Sequence, residues 1–72
     1  MGKSIHTKEY KVFVEHLKKA RLEAGLSQVE AAKKIGRPQS HISNVENGQQ
    51  RVDIVELKRF AKLYGKSVGY FL

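Results

Sequence analysis

The 72-residue chain contains no cysteine, so neither a disulfide framework nor a thiolate metal site is available and stability has to come from packing. That is compatible with a reducing cytosol. Proline occurs once, at Pro38, and aromatic residues make up 8% of the chain, without the grouping that would stack unpaired RNA bases. Long apolar runs are missing as well. Nothing approaches the roughly 20 apolar residues of a membrane-spanning helix, and the opening MGKSIHTKEYK lacks the apolar core of a signal peptide. The expectation is a soluble, cytoplasmic protein that does not act at a membrane.

Groups for catalysis are equally sparse. His6, His16 and His41 share no i, i+4 spacing that would hold a metal ion. Ser40 and His41 are neighbours, so on a helix they face different directions and cannot form a nucleophile–base pair. A domain this small also lacks room for a sizeable pocket. No enzyme, no cofactor, no metal and no small-molecule substrate is expected. Acid is scarce too: seven Asp and Glu oppose fourteen Lys and Arg, a net charge of +7. Such a balance favours polyanionic partners. Nucleic acid ranks ahead of anionic membrane, because no helix shows a broad exposed apolar face.

What is present is helical. No strand alternation, repeat, low-complexity segment or linker competes with a reading of five helices. Residues 1–8 are mostly polar around one Ile, without periodicity, and are expected to form a mobile arm; Lys3 and Lys8 there read either as phosphate contacts or as part of a solvated tail. Residues 9–72 then make one domain. Its first helix, over about residues 7–24, carries Phe13, Leu17, Ala20 and Ala24 on one stripe, with Val14 and Arg21 beside it. Gly25 ends it, and Leu26 plugs the gap that follows.

Residues 27–48, SQVEAAKKIGRPQSHISNVENG, are the most informative stretch. Ser27 is a good N-cap and Glu30 stands three residues on, the spacing of a capping box. Ala31, Ala32 and Ile35 supply small and apolar contacts, until Gly36 offers the positive φ that turns the chain. Pro38 suits the first turn of a second helix, over 38–47, with Ile42 and Val45 as anchors and Asn47-Gly48 at its end. Between those anchors lie Gln39, Ser40, His41, Ser43 and Asn44, which exchange hydrogen bonds without negative charge. Such a face suits base edges. Farther on, Gln49, Gln50 and Arg51 form a surface loop, and Asp53 caps a fourth helix carrying Ile54, Leu57, Phe60, Ala61, Leu63 and Tyr64. Lys58, Arg59 and Lys62 are expected to stay wet. Gly65 ends that helix, and Ser67 opens a last turn through residue 72, in which Val68, Phe71 and Leu72 return to the core or meet another subunit.

The runs S-Q-x-E-A-A-x-x-I-G and I-S-N-V-E-N-G resemble the phage-repressor class of helix-turn-helix domains (Cro/XRE-like), and the flanking helices extend the match along most of the chain. The resemblance implies an all-α, compact five-helix lambda-repressor-like domain. It also implies a sequence-specific regulator, a repressor in its simplest mode, that reads a double-stranded DNA operator through the major groove and associates with the nucleoid only through DNA. Gln39 is the first base-reading residue under this view, since an amide can pair with both N6 and N7 of adenine. Ser40, Ser43 and Asn44 follow. His41 reaches a phosphate or a base edge, or is an exposed bystander. Phosphate positioning falls to Gln28, whose place in the first motif helix matches a phosphate-binding position of the class, and to Arg37, Asn47 and Arg51. Arg21 and Glu46 occupy places that commonly pair in this class and would lock the recognition helix against the first helix.

Two departures from the class are visible. Ala31 stands where a larger aliphatic residue often precedes the motif alanine, and Pro38 replaces a small hydroxyl residue, which leaves the recognition helix without a side-chain cap. The same fold also serves antitoxins and protein-binding adaptors. An adaptor would expose an apolar anchor, and Tyr70 and Phe71 are either such anchors or contacts of a homodimer.

Overall fold

A computed structural model describes residues 7–72 of the chain. Among these residues there are five helices and no strand: α1 (Lys8–Glu23), α2 (Gln28–Ile35), α3 (Gln39–Glu46), α4 (Ile54–Tyr64) and α5 (Val68–Phe71). The expected arm lies outside the described residues over 1–6, whereas Thr7 and Lys8 already belong to the start of α1. Thr7 is its N-cap, and its hydroxyl accepts from the Tyr10 amide at 3.1 Å.

Local chemistry accounts for the boundaries around the turn. The Ser27 hydroxyl accepts from the Glu30 amide at 3.0 Å while the Glu30 carboxylate accepts from the Ser27 amide at 2.8 Å, so two orphan donors of α2 are satisfied reciprocally. Those hydrogen bonds hold the Glu30 carboxyl below its usual range. At the other end Gly36 adopts φ 78°, a left-handed conformation that costs a residue with a Cβ, and reverses the chain into α3. Pro38 lies one position earlier than the sequence pattern places it. With ψ at 155° it is the extended N-cap rather than the first helical residue, and its carbonyl accepts from the His41 amide at 3.0 Å. As its lack of a side-chain oxygen requires, it makes no side-chain cap.

The core gathers one stripe from every helix: Leu17 and Ala20 from α1, Ala31, Ala32 and Ile35 from α2, Ile42 and Val45 from α3, Leu57, Phe60, Ala61 and Tyr64 from α4, and Phe71 from α5. Phe13, Leu63 and Val68 pack at its edge. Two residues expected inside are not: Ala24 is the exposed C-cap of α1, and Ile54 sits at the first position of α4, where the chain has not yet turned onto the core. Of the two alternatives for Leu72, the core is not taken, since it follows the last helical residue and is exposed. Ile54 and Leu72 instead line an open apolar groove with Phe13 and Val52. Arg59, expected in water with its basic neighbours, donates Nη2 to the Ile35 carbonyl at 2.7 Å and so satisfies the C-terminal end of α2.

Candidate nucleic-acid interface

The two anchors of α3 are each 1% exposed, and burying them fixes which way the rest of the helix faces. Gln39, Ser40 and Asn44 are exposed, Ser43 and His41 half-buried. No acidic side chain lies among them. The acid of α3, Glu46, is turned inward at its C-terminal end.

A network of side chains locks that orientation. Arg21 on α1 donates from Nε to Glu46 Oε2 at 2.7 Å and from Nη2 to Oε1 at 3.0 Å, and its Nη1 donates to the Leu26 carbonyl at 2.8 Å. This is a forked, charge-assisted pair in which both carboxylate oxygens are engaged. Its hydrogen bond to Glu46 raises the Arg21 pKa above its usual value against the opposing effect of burial. From Glu46 the network runs outward. Gln28 Nε2 donates to Glu46 Oε1 at 3.1 Å, and Gln28 Oε1 accepts from Gln39 Nε2 at 3.4 Å. One hydrogen of the Gln39 amide thus faces Gln28. Its other hydrogen and its carbonyl oxygen are the donor and acceptor that a bidentate pair with adenine uses.

A second contact ties α3 to α4. His41 Nε2 stands 2.9 Å from Glu56 Oε1, and Arg37 Nε, from the turn, stands 3.1 Å from Glu56 Oε2. The Glu56 side chain is 8% exposed, that of Arg37 47%. Glu56 Oε2 has no hydrogen-bond partner, so the Arg37 contact is an ion pair without hydrogen-bond alignment. Of the expected site residues, then, Gln28, Gln39, Arg21 and Glu46 form one network. Arg37 and His41 are drawn to Glu56. Asn47 is the C-cap of α3, with Nδ2 3.5 Å from Ser43 Oγ, and Arg51 lies exposed in the loop beyond it. That loop is held by the Asn44 carbonyl, which accepts from the Gln49 and Gln50 amides at 2.8 and 3.1 Å.

Sequence reasoning missed Glu56. An acid in the first turn of a helix is explained by the dipole and by the Asp53 cap before it, and no local signal ties it to residues 37 and 41. Among the described residues no group of three or more His, Asp or Glu is placed to hold a metal ion, and no helix is long and apolar enough to cross a membrane.

Two short helices crossing at a glycine turn, with the second presenting a polar, acid-free face from a basic body, define a helix-turn-helix DNA-binding module. Residues 17–71 match the family model described as helix-turn-helix, and the chain belongs to that family, in its Cro/XRE-like branch. Among solved structures it is similar to an XRE-family like protein from Pseudomonas syringae pv. tomato str. DC3000, at 36% identity and a TM-score of 0.83, over 96% of this chain and 84% of that one. No curated protein matches. The family and the geometry together make this a DNA-binding regulator of the XRE type.

Proposed function

We propose that the chain is a sequence-specific repressor that occupies a double-stranded operator with α3 in the major groove and acts without catalysis, in the cytoplasm. The observation that carries this reading is the Gln39 amide. It is held by Gln28 at the start of α3 and still has a donor and an acceptor for a base edge. Ser40, Ser43 and Asn44 extend the reading surface along the same helix. Gln28, at the start of α2, and Asn47 and Arg51, at and beyond the C-terminal end of α3, are the phosphate contacts, and the net charge of +7 supplies the sequence-independent attraction. A homodimer belongs to the same proposal. Phe71 is buried and Tyr70 packs against His16 and Phe71, so the pair does not offer exposed anchors. The groove lined by Phe13, Val52, Ile54 and Leu72 is the candidate face between two copies.

Selection of bound sequences from a random duplex pool at near-physiological salt tests the reading, run in parallel on the wild type and Gln39→Ala. The expected result is a pseudo-palindromic motif in which the variant loses about 1–3 kcal/mol of discrimination at one base pair. Salt-sensitive binding with no enriched sequence would overturn it, and a protein partner would then be sought by pull-down.

A further inference from the structure

The Glu56 carboxylate lies behind the reading helix, nearly buried, and is faced by Arg37, which the resemblance assigns to phosphate, and by His41, for which it leaves phosphate, base edge or bystander open. Arg37 immediately precedes α3 and His41 lies within its first turn, between Ser40 and Ser43. Both are turned to Glu56, at 3.1 and 2.9 Å. The two contacts are unlike. His41 meets Oε1 at hydrogen-bond distance with its side chain 14% exposed, whereas Arg37 approaches Oε2 without alignment and keeps nearly half of its surface in water. A buried carboxylate needs a counter-charge, and a guanidinium needs an anion only weakly when it is solvated. Arg37 is therefore held at Glu56 by the charge of that carboxylate alone. A DNA phosphate offers the same chemistry as that carboxylate, so the two compete for one guanidinium.

We propose that Glu56 is a positioning residue that withholds Arg37 from the DNA backbone, reducing the number of phosphates the domain neutralises and with it the sequence-independent part of its affinity. The inference rests on the DNA-binding reading above. Its physical content is a shift of weight: binding through phosphates alone is lowered, while the Gln39 face, whose support comes from Gln28 and Glu46, is untouched. Glu56 thereby raises the ratio of specific to non-specific binding.

The test is the salt dependence of binding to a random-sequence duplex by wild type, Glu56→Gln, Arg37→Gln and the double variant, with folding checked by circular dichroism. Glu56→Gln keeps the side-chain shape and a hydrogen-bonding oxygen for His41 but has no charge. It is expected to bind about three- to tenfold more tightly at 0.1 M salt, with the slope of log K against log salt steeper by about one. The double variant returns to the wild-type slope, and Arg37→Gln alone leaves that slope unchanged. A merely structural Glu56 gives the opposite: weaker binding with the slope unaltered. An Arg37→Gln variant whose slope falls by about one would show Arg37 already on phosphate in the wild type and overturn the proposal, even were Glu56→Gln unable to fold. If the wild type bound no duplex at all, the DNA-binding reading would fall first. Binding by the wild type with no change in Glu56→Gln overturns this inference alone.

Discussion

Two carboxylates hold the reading helix, one at each side, and they are built differently. Glu46 faces α1 through Arg21, with both oxygens hydrogen-bonded to one guanidinium and a third donor supplied by Gln28. Glu56 faces α4's neighbours with one oxygen near His41 and the other near an Arg37 that is half in water. The first clamp is saturated and buried on both partners, at 7% and 4% exposure; the second is unsaturated and open on one side. A saturated pair fixes geometry because every alternative leaves a buried charge unpaired. An unsaturated pair fixes less, and its half-exposed partner is held by charge alone. One helix thus carries a rigid end and an adjustable one.

The largest effect should come from breaking the rigid end. Glu46→Ala leaves the Arg21 guanidinium buried without its counter-charge and is expected to cost about 3–5 kcal/mol of stability, read as a lowered midpoint in denaturant unfolding. The combined replacement Arg21→Met with Glu46→Leu removes both charges and should recover most of that loss, because well-packed apolar residues replace such a pair at little net cost. A double variant as unstable as the single one would show that the hydrogen bonds, and not the stranded charge, set the energy.

A smaller effect is expected at the adjustable end. Glu56→Ala strands the half-buried His41 ring but lets Arg37 turn to solvent, so about 1–3 kcal/mol is lost. Equal losses for Glu46→Ala and Glu56→Ala in the same unfolding series would erase the distinction between the two clamps.

That contrast also separates what the sequence discloses from what it does not. The α2 and α3 helices and their turn were readable because their signals are local and mechanical: Ser27 with Glu30, Gly36, Asn47-Gly48. So was the helical character of the whole chain. Arg21 and Glu46 could be named together only through the resemblance, since nothing local joins residues separated by 25 positions. The Gln28 and Gln39 amides were each visible as polar residues, yet their contact depends on how α2 and α3 cross. Glu56 was invisible for a similar reason: its partners come from the turn and from α3, brought to it only once α4 packs across them. Ile54 fits the apolar stripe of α4 by spacing, but periodicity does not say that the first residue of a helix overhangs the core. The Arg59 bond to the Ile35 carbonyl was hidden because a basic residue on an outer face is usually solvated.

The smallest effect tests the adjustable pair directly through screening. Arg37 is half exposed, so its attraction to Glu56 is reached by counterions, and Arg37→Gln is expected to cost no more than about 1 kcal/mol at low ionic strength. At 1 M salt, where the screening length falls to about 3 Å, that cost should vanish. The Arg21–Glu46 pair is shielded by the core from the same ions, and Arg21→Gln should destabilise the domain equally at both salt concentrations. Unfolding midpoints of the two variants, each against wild type at low and high salt, give the comparison. Two costs that shrink together would mean that both carboxylates answer to solvent, and Arg37 would then be no easier to detach from Glu56 than Arg21 is from Glu46.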